Sequence, residues 1–394
     1  MSSSDQYWAL PDGISEALPD EAWRLETLRR ELLDIYSTWG YQLVMPPLVE
    51  YMQSLSTGVG ANLDVQTFKV TDQQTGRMMG IRADMTPQIA RIDAHKLQTD
   101  QPNRLCYIGS VLRTRPQSEG GSRSPLQVGA ELFGHEGIDS DFEVMSLLLA
   151  TLEHCKTGSI TLDLGHVGIF RELAKQAGFS NDQEQVFSDM LSRKALPEIE
   201  EWLEASDLPV SMRNMLSQLP LLHGPSAILE QAKSVLKDAS PSVHESLQYL
   251  SDLGKRLQKT FPDCALHIDL TELSGYSYHT GIVYAVYASD TGKEIARGGR
   301  YDGAGKLFGR SRPATGFSTN LRQLNRSADV KPTIQNKILA PNDDDAQLEA
   351  LINKLRQQGQ CVIRQLNGHN ASSRQTNDSR QIIQENGQWI VKEV

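Results

Sequence analysis

The sequence LCYIGSVLRTRPQSEGGSRSPLQVGAELFG at residues 105–134 has the pattern of two strands joined by a loop. Residues 105–112 are apolar enough for a buried strand, whereas residues 125–133 alternate between the two faces of a strand. Gln127, Gly129 and Glu131 share one face, and Gly129 leaves the space between its neighbours empty. An amide and a carboxylate over a glycine can bind an ammonium or an N–H donor. The stretch therefore predicts either a small-ligand site or an exposed hairpin face with solvated polar residues.

Arg113 lies where the first of these strands enters the loop. A guanidinium offers a planar fork of N–H donors that suits a carboxylate or a phosphate. We therefore add Arg113 to the candidate ligand site.

The composition excludes several classes of protein. The 394 residues are 39% hydrophobic and 22% charged, with a net charge of -10, and such an acidic balance disfavours broad nucleic-acid binding. The four cysteines lack CxxC spacing, which argues against a disulfide framework and against a zinc site. No secretory signal and no membrane-spanning segment is predicted. We therefore expect a cytoplasmic protein that binds neither membrane nor metal.

The N-terminal region predicts a helix followed by a strand. Residues 20–39 have apolar side chains at helical spacing, and Asp20 is placed to cap this helix. Residues 41–45 then have the pattern of a strand, which Pro46 and Pro47 stop because proline cannot donate to a ladder. An edge strand beside an amphipathic helix suits a dimer surface, although a plain helix–strand unit gives the same pattern.

A turn containing Asp84 precedes a second helix. Residues 68–70 and 78–82 predict a hairpin around residues 72–76, and Thr86 followed by Pro87 has the pattern of an N-cap and the first helical residue. The apolar face of that helix is expected to consist of Ile89, Ile92 and Leu97. The Asp84 carboxylate either caps the local backbone or points at a cationic ligand.

The rest of the chain predicts an α+β fold. Residues 168–261 contain helical runs and are interpreted as an inserted helical lobe. Beyond it we expect strands at residues 266–270, 276–284 and 294–297, a tight turn at 298–303 and a helix at 316–326. Strands joined by turns favour an antiparallel sheet flanked by helices. We therefore divide the chain into a large domain at residues 1–329 and a small C-terminal α/β domain at residues 330–394.

The small domain has its own predicted elements. They are strands near residue 338, at 360–366 and at 389–391, a helix at 344–357, and a polar loop before the last strand.

These stretches resemble, in this order, the catalytic domain of class II aminoacyl-tRNA synthetases, and among them histidyl-tRNA synthetase. The resemblance covers most of residues 10–325. The helix–strand unit ending at Pro46 is similar to the dimer-forming first motif, the hairpin from Arg113 to Glu131 to the second, and Gly316-Phe317 opening a helix to the third. The histidine-binding segments correspond to RADMT at 82–86, QVGAELFG at 127–134, YHTG at 278–281 and GGRYDG at 298–303.

The resemblance implies roles for several residues of a histidine pocket. Asp84, Thr86 and Gln127 would bind the α-ammonium, and Glu131 would accept a hydrogen bond from the imidazole. In the YHTG segment, Tyr278 belongs to the pocket, and His279 stands where the synthetase has a tyrosine.

The positions that bind ATP in the synthetase differ here. Ser274 stands in place of an arginine, Arg115 in place of the acidic residue that holds adenine, and Gln323 in place of the arginine for the phosphates, with Arg322 one position out of register. Positioned guanidiniums offset the charge that gathers when a carboxylate attacks a triphosphate. The loss of one such donor lowers the rate roughly 100- to 1,000-fold, so adenylate formation is disfavoured.

A chain that retains the amino-acid groups and lacks the ATP groups resembles the regulatory subunit family of ATP phosphoribosyltransferase, a paralogue of the synthetase. This resemblance implies a non-catalytic subunit, without a cofactor, that activates the short catalytic subunit in the first step of histidine biosynthesis and carries feedback control by L-histidine. It also implies a dimer within a hetero-oligomer, a hetero-octamer in the family. The alternatives are a divergent histidyl-tRNA synthetase that forms histidyl-adenylate and a structural dimer without a ligand.

Overall fold

A computed structural model describes residues 8–56, 61–117, 121–303, 305, 309–329, 337–367 and 380–393. Contacts between residues divide the chain into two units, Met1–Val330 and Lys331–Val394. Among the described residues, none of the helices is both long and apolar enough to cross a membrane.

The strands of the first unit are β1 Gln42–Leu43, β2 Val49–Tyr51, β3 Phe68–Thr71, β4 Met78–Ile81, β5 Asn103–Ser110, β6 Leu126–Phe133, β7 Ile160–His166, β8 His223–Pro225, β9 Ala265–Asp269, β10 Ile282–Ala288, β11 Glu294–Arg300 and β12 Ala314–Asn320. Its helices are α1 Pro19–Thr38, α2 Met52–Ser56, α3 Ala61–Gln66, α4 Thr86–Arg91, α5 Ile138–His154, α6 Val167–Ala177, α7 Asn181–Ser192, α8 Leu196–Glu204, α9 Val210–Gln218, α10 Ile228–Val235, α11 Pro241–Thr260 and α12 Leu321–Ser327. A π-helix, Ile92–Leu97, extends α4, and a short 3-10 helix, Leu219–Leu221, extends α9.

A nine-stranded sheet with the order β1-β5-β6-β12-β11-β10-β7-β9-β8 forms the centre of the first unit. The pairs β1–β5 and β7–β9 are parallel, and the other neighbouring pairs are antiparallel. A second sheet of three antiparallel strands has the order β2-β4-β3. The predicted α+β fold, a mainly antiparallel sheet flanked by helices, is confirmed.

Strand β6 separates the hydrophobic core from the polar face, as its alternation predicts. Val128, Ala130 and Leu132 belong to the core cluster that also contains the buried side chains of α1 and α5. Gln127 and Glu131 lie on the opposite face and are nonetheless buried. The polar face of the hairpin is therefore not a solvated surface.

Two helix starts differ from the prediction. Helix α1 begins at Pro19 with Leu18 as its N-cap and no side-chain cap, so the cap predicted at Asp20 is wrong. Proline fits the first turn because its missing N–H needs no partner there, and Asp20 lies in that turn, where the helix dipole favours a carboxylate. Helix α4 likewise begins at Thr86, and its N-cap is Met85, so the cap predicted at Thr86 is wrong. Leu97 is 45% exposed, so the predicted apolar face does not extend to it.

Three segments of the chain between residues 276 and 326 also differ from the prediction. The strand predicted at residues 276–284 begins only at Ile282, after a series of turns. The tight turn predicted at residues 298–303 is instead strand β11 up to Arg300, and the helix predicted from Gly316 is strand β12 up to Asn320. A Cβ at Gly298 would overlap with the carbonyl oxygen of Gly316, so these glycines serve close strand pairing rather than turns.

Helices α6–α11 occupy most of the region interpreted as a helical lobe. The second unit contains β13 Ile338–Ala340, α13 Ala346–Gln357, β14 Val362–Arg364, β15 Arg380–Glu385 and β16 Gln388–Glu393, and its strands have the order β14-β13-β15-β16. Strand β15 was not predicted, and much of the predicted polar loop lies outside the described residues.

Candidate functional site

The site lies on the polar face of the central strands, where cross-strand register places two rows of residues side by side. The Glu131 row consists of Glu131, Gly316, Gly299 and Val283 on β6, β12, β11 and β10. The Arg297 row consists of Gly129, Ser318, Arg297 and Ala285 on the same strands. The rows are two residues apart along each strand, so they share one face and are separated by about 6.6 Å.

A pocket opens over these rows and encloses about 560 Å³, part of it open to solvent. Besides residues of the two rows, its lining contains Asp84, Thr86, Ser274, Tyr278, His279, Tyr284, Gly298, Tyr301 and Phe317. Five of the seven predicted site residues, Glu131 among them, thus line one cavity.

The Glu131 carboxylate is buried among hydroxyl groups. Its Oε1 accepts from the Tyr107 hydroxyl at 2.9 Å and from the Thr86 hydroxyl at 3.1 Å, and its Oε2 accepts from the Tyr301 hydroxyl. The side chain is only 1% exposed, and burial raises the pKa of Glu131 to about 8, although the three hydroxyl donors oppose the rise. The site therefore favours a ligand that brings positive charge or an N–H donor to this carboxylate.

Asp84 accepts hydrogen bonds from its surroundings and also lines the pocket. Its Oδ1 accepts from the backbone N–H of Thr86 and from the Gln127 amide, both at 2.9 Å, and the residue also lines the pocket. Gln127 in turn accepts from the backbone N–H of Met85 at 2.9 Å. Gln127 is 3% exposed and is not in the lining, so it orients Asp84 rather than facing the cavity.

His279 is a neutral side chain in the wall of the pocket. Its Nδ1 lies 2.8 Å from the carbonyl oxygen of Ser274, which can only accept, so Nδ1 carries the proton and Nε2 is the acceptor. Burial lowers the pKa of His279 to about 4. The ring packs against Tyr278, with 4.1 Å between centroids, and a Cβ at Gly299 would lie 2.7 Å from Nε2. A bulkier residue than glycine at position 299 would displace His279.

Arg113 does not line the pocket. It is 8% exposed, and its Nε donates to the carbonyl oxygen of Ala83 at 3.1 Å. The arginine in the lining is instead Arg297, which the sequence did not single out. It was overlooked because the strand was expected to end at this residue, which hid that Arg297 and Gly299 share a face.

Two tyrosines that contact Glu131 were also missed. Tyr107 lies opposite Gly129 in the register of β5 and β6, and a Cβ at Gly129 would overlap with its hydroxyl group. The space over Gly129, expected to be free for a ligand, is therefore filled by Tyr107. Tyr301 belongs to the GGRYDG segment, so its motif was a signal, but its contact with Glu131 depends on the fold.

The substituted nucleotide positions have other partners. Gln323 donates from Nε2 to the carbonyl oxygen of Glu294 at 2.9 Å. Arg322 donates to the carbonyl oxygen of Ser15 at 3.2 Å and lies 3.6 Å from the Glu21 carboxylate. Arg322 is thus paired with residues of the N-terminal region. It does not substitute for the arginine that the synthetase has at the position of Gln323.

The pocket has the chemistry of a binding site for an amino acid with a basic side chain. The carboxylates of Asp84 and Glu131 line it together with one guanidinium, from Arg297, and with several hydroxyl groups, that of Thr86 among them. No group of three or more His, Cys, Asp or Glu side chains suited to a metal ion was found among the described residues.

Two family models match the chain. The model described as histidyl-tRNA synthetase matches residues 13–324, and the model described as the C-terminal domain of ATP phosphoribosyltransferase subunit HisZ matches residues 335–392.

Curated relatives match over the full length. The ATP phosphoribosyltransferase regulatory subunit of Thioalkalivibrio sulfidiphilus is 51% identical over 396 residues, with 100% of both chains covered. The protein of the same name from Alkalilimnicola ehrlichii is 49% identical and covers 99% of this chain and 98% of its own.

Solved structures share the fold. An ATP phosphoribosyltransferase regulatory subunit/histidyl-tRNA synthetase from Bacillus halodurans has a TM-score of 0.81 at 27% identity, with 93% of this chain and 94% of that chain covered. The HisG:HisZ complex of ATP phosphoribosyl transferase from Thermotoga maritima contains a chain with a TM-score of 0.59 at 17% identity, with 78% of this chain and 98% of that chain covered.

Proposed function

Because the chain belongs to the family of ATP phosphoribosyltransferase regulatory subunits, we propose that it binds L-histidine in the pocket around Glu131 and thereby controls a short-form catalytic subunit. The chain is a regulatory subunit in histidine biosynthesis and is not itself the catalytic enzyme. Histidine as its ligand, and the residues that hold it, are the proposal.

The observation that carries this proposal is that the groups for an amino acid are present in the pocket, whereas the groups for ATP are replaced. Asp84, Thr86 and Glu131 face the cavity together, as a histidine site requires. Ser274 and Gln323 meanwhile supply no guanidinium for a triphosphate, and Arg322 is paired with Glu21. A pocket of this kind supports binding of an amino acid without its activation, which also disfavours the synthetase alternative.

Histidine binds here with its ammonium at Asp84 and Thr86 and its ring at Glu131. The ring N–H, or the imidazolium, donates to a carboxylate whose pKa is raised by burial, and such a charge-assisted bond stabilises the ionised form of Glu131. Thr86 already donates to Glu131, so it joins the ammonium end of the site to the ring end. Gln127 acts through Asp84 rather than on the ligand.

The assembly is a dimer of this chain within a hetero-oligomer with the catalytic subunit. The HisG:HisZ complex with the same fold supports such a partnership, and the octamer implied by the family resemblance extends the proposal. We further propose that the complex lies in the cytoplasm. We also propose a domain boundary after residue 329 and a helical insertion at about residues 168–261. Neither nucleic acid nor membrane is a partner in this account.

Calorimetric titration of the purified chain with L-histidine tests the ligand. Glu131→Ala removes a hydrogen-bonded carboxylate and is expected to weaken binding by roughly 1.5 to 3 kcal/mol. Glu131→Gln retains an acceptor oxygen and is expected to weaken binding less. Glu201→Ala removes an exposed carboxylate of α8 and serves as the control. Unchanged affinity in a folded Glu131→Ala variant would place the histidine site elsewhere.

A further inference from the structure

The pocket carries a permanent positive charge that none of the expected histidine contacts uses. Among the described residues that line it, Arg297 is the one with a guanidinium or an ammonium group, and the pKa of His279 is too low for that ring to be charged near neutral pH. An amino acid brings a carboxylate as well as an ammonium. The Asp84 carboxylate repels another carboxylate, so a cation is needed where the carboxylate of the ligand lies.

Cross-strand register fixes where Arg297 stands relative to the acidic groups. It pairs with Ser318 of β12 and with Ala285 of β10, in the row next to the one that contains Glu131 and Gly316. Arg297 and Gly299 are two residues apart on β11, so they share the pocket face. A ligand whose ring lies at Glu131 can therefore extend across the glycines with its carboxylate toward Arg297.

The guanidinium is oriented and partly free. Its Nε and Nη2 donate to the two carboxylate oxygens of Glu294, both at 2.6 Å. This two-point pairing fixes the plane of the fork, and a guanidinium has five N–H donors, so donors remain for a ligand. Burial alone would lower the pKa of Arg297, but its pairing with Glu294 raises the pKa overall, and the group stays charged.

Arg113, the other arginine in this region, is directed at the protein itself. Its Nε donates to the carbonyl oxygen of Ala83, and the residue is outside the lining. Burial lowers the pKa of Arg113, Asp84 opposes that effect, and the charge of Arg297 adds to it. The two guanidiniums therefore lie close enough to affect each other, and Arg297 is the one that reaches the cavity.

We propose that Arg297 binds the α-carboxylate of the ligand and so makes the pocket selective for an amino acid over the corresponding amino alcohol or amine. This inference rests on the proposed histidine function. It assigns to Arg297 the role that the sequence suggested for Arg113.

Two ligands that differ only at the carboxylate test it. L-histidine and L-histidinol, in which CH2OH replaces the carboxylate, are titrated calorimetrically into the full-length protein. The wild type is expected to prefer histidine. Arg297→Met is expected to weaken histidine binding roughly 10- to 150-fold, as for loss of a charge-assisted hydrogen bond, and to leave histidinol binding nearly unchanged. Arg297→Lys is expected to restore part of the preference, because it keeps the charge without the fork.

The second ligand also serves as the folding control, since a variant that binds histidinol has an intact pocket. Arg113→Met is measured in parallel and is expected to keep the preference for histidine. An Arg297→Met variant that keeps the wild-type preference, or an Arg113→Met variant that loses it, overturns the proposal. A wild type that binds neither ligand contradicts the proposed histidine function itself, which is a different result.

Discussion

Oε2 of Glu131 lies against Gly316, its cross-strand partner, so closely that a Cβ at residue 316 would overlap with the carboxylate. The Glu131 side chain thus crosses the neighbouring strand instead of pointing away from the sheet. This arrangement brings Glu131 to the Tyr301 hydroxyl and leaves room for a ligand above the glycines. The same glycine is therefore required by the sheet and by the site.

Gly316→Ala is expected to destabilise the protein by about 1 to 3 kcal/mol, because the added methyl group meets Glu131 and the carbonyl oxygen of Ala130 at 2.9 Å. It is also expected to weaken histidine binding by displacing the carboxylate. Chemical denaturation and calorimetry measure the two effects. Gly303→Ala is the control, since a Cβ there meets no atom within 4 Å. Equal stability of the two variants would show that Glu131 does not lie against Gly316.

The raised pKa of Glu131 predicts a dependence of stability on pH. Its ordinary pKa is 4.5 and its folded value is about 8, so between these values the folded chain holds a proton that the unfolded chain has lost. The stabilisation is fully present below about pH 4.5 and is lost as the pH rises through about 8, with a slope of at most about 1.4 kcal/mol per pH unit.

Denaturant titrations of the wild type and of Glu131→Gln between about pH 5 and about pH 8 isolate this contribution. The free energy of unfolding is expected to fall more steeply with pH in the wild type, since glutamine does not titrate. Parallel pH profiles for the two proteins would contradict the raised pKa.

The dimer is expected to form through α1 and the edge strand β1. β1 is the last strand on its side of the large sheet, and apolar side chains are exposed around it. They include Trp23, Leu43, Met45 and Leu48, with exposed fractions from 41% to 76%. An unpaired strand edge with exposed apolar side chains around it favours association, and a dimer would cover both.

Sedimentation at micromolar concentration measures the assembly state. The double variant Trp23→Asp with Met45→Asp is expected to shift a wild-type dimer to monomer, because it would bury two charges at the interface. Val210→Asp, at an exposed position of α9, is the control and is expected to remain dimeric. A wild type that sediments as a monomer would contradict the proposed interface.

The sequence identified those features of the site that depend on one segment alone. The alternation of β6 predicted that Gln127 and Glu131 share a face opposite the core, and the turn before α4 predicted the position of Asp84. Contacts between strands could not be predicted from single segments. Gly129 was expected to leave free space, but whether Tyr107 fills it depends on the register of β5 against β6.

The sequence suggested Arg113 instead of Arg297 for a similar reason. The glycines at residues 298 and 299 suggested a turn, whereas in the sheet they allow close approach of Gly316, Tyr284 and His279. Placing the end of the strand at Arg297 separated that residue from Gly299 in the prediction. Without the register of β11 against β12, nothing in the sequence favoured Arg297 over Arg113.

Histidine is proposed to act on the catalytic partner through this pocket. Only a ligand that binds two states of the complex unequally can shift them, and a typical coupling of about 1 to 3 kcal/mol changes affinity roughly 5- to 150-fold. The most direct measurement is the turnover of a short-form catalytic subunit titrated with this chain, with and without L-histidine. Wild type, Asp84→Asn, Glu131→Ala and the control Glu201→Ala are compared. We expect saturable activation by all four, with histidine inhibition weakened only by the two pocket variants. Pocket variants that abolish activation and leave histidine inhibition unchanged would contradict the account and place the inhibitory histidine on the catalytic subunit.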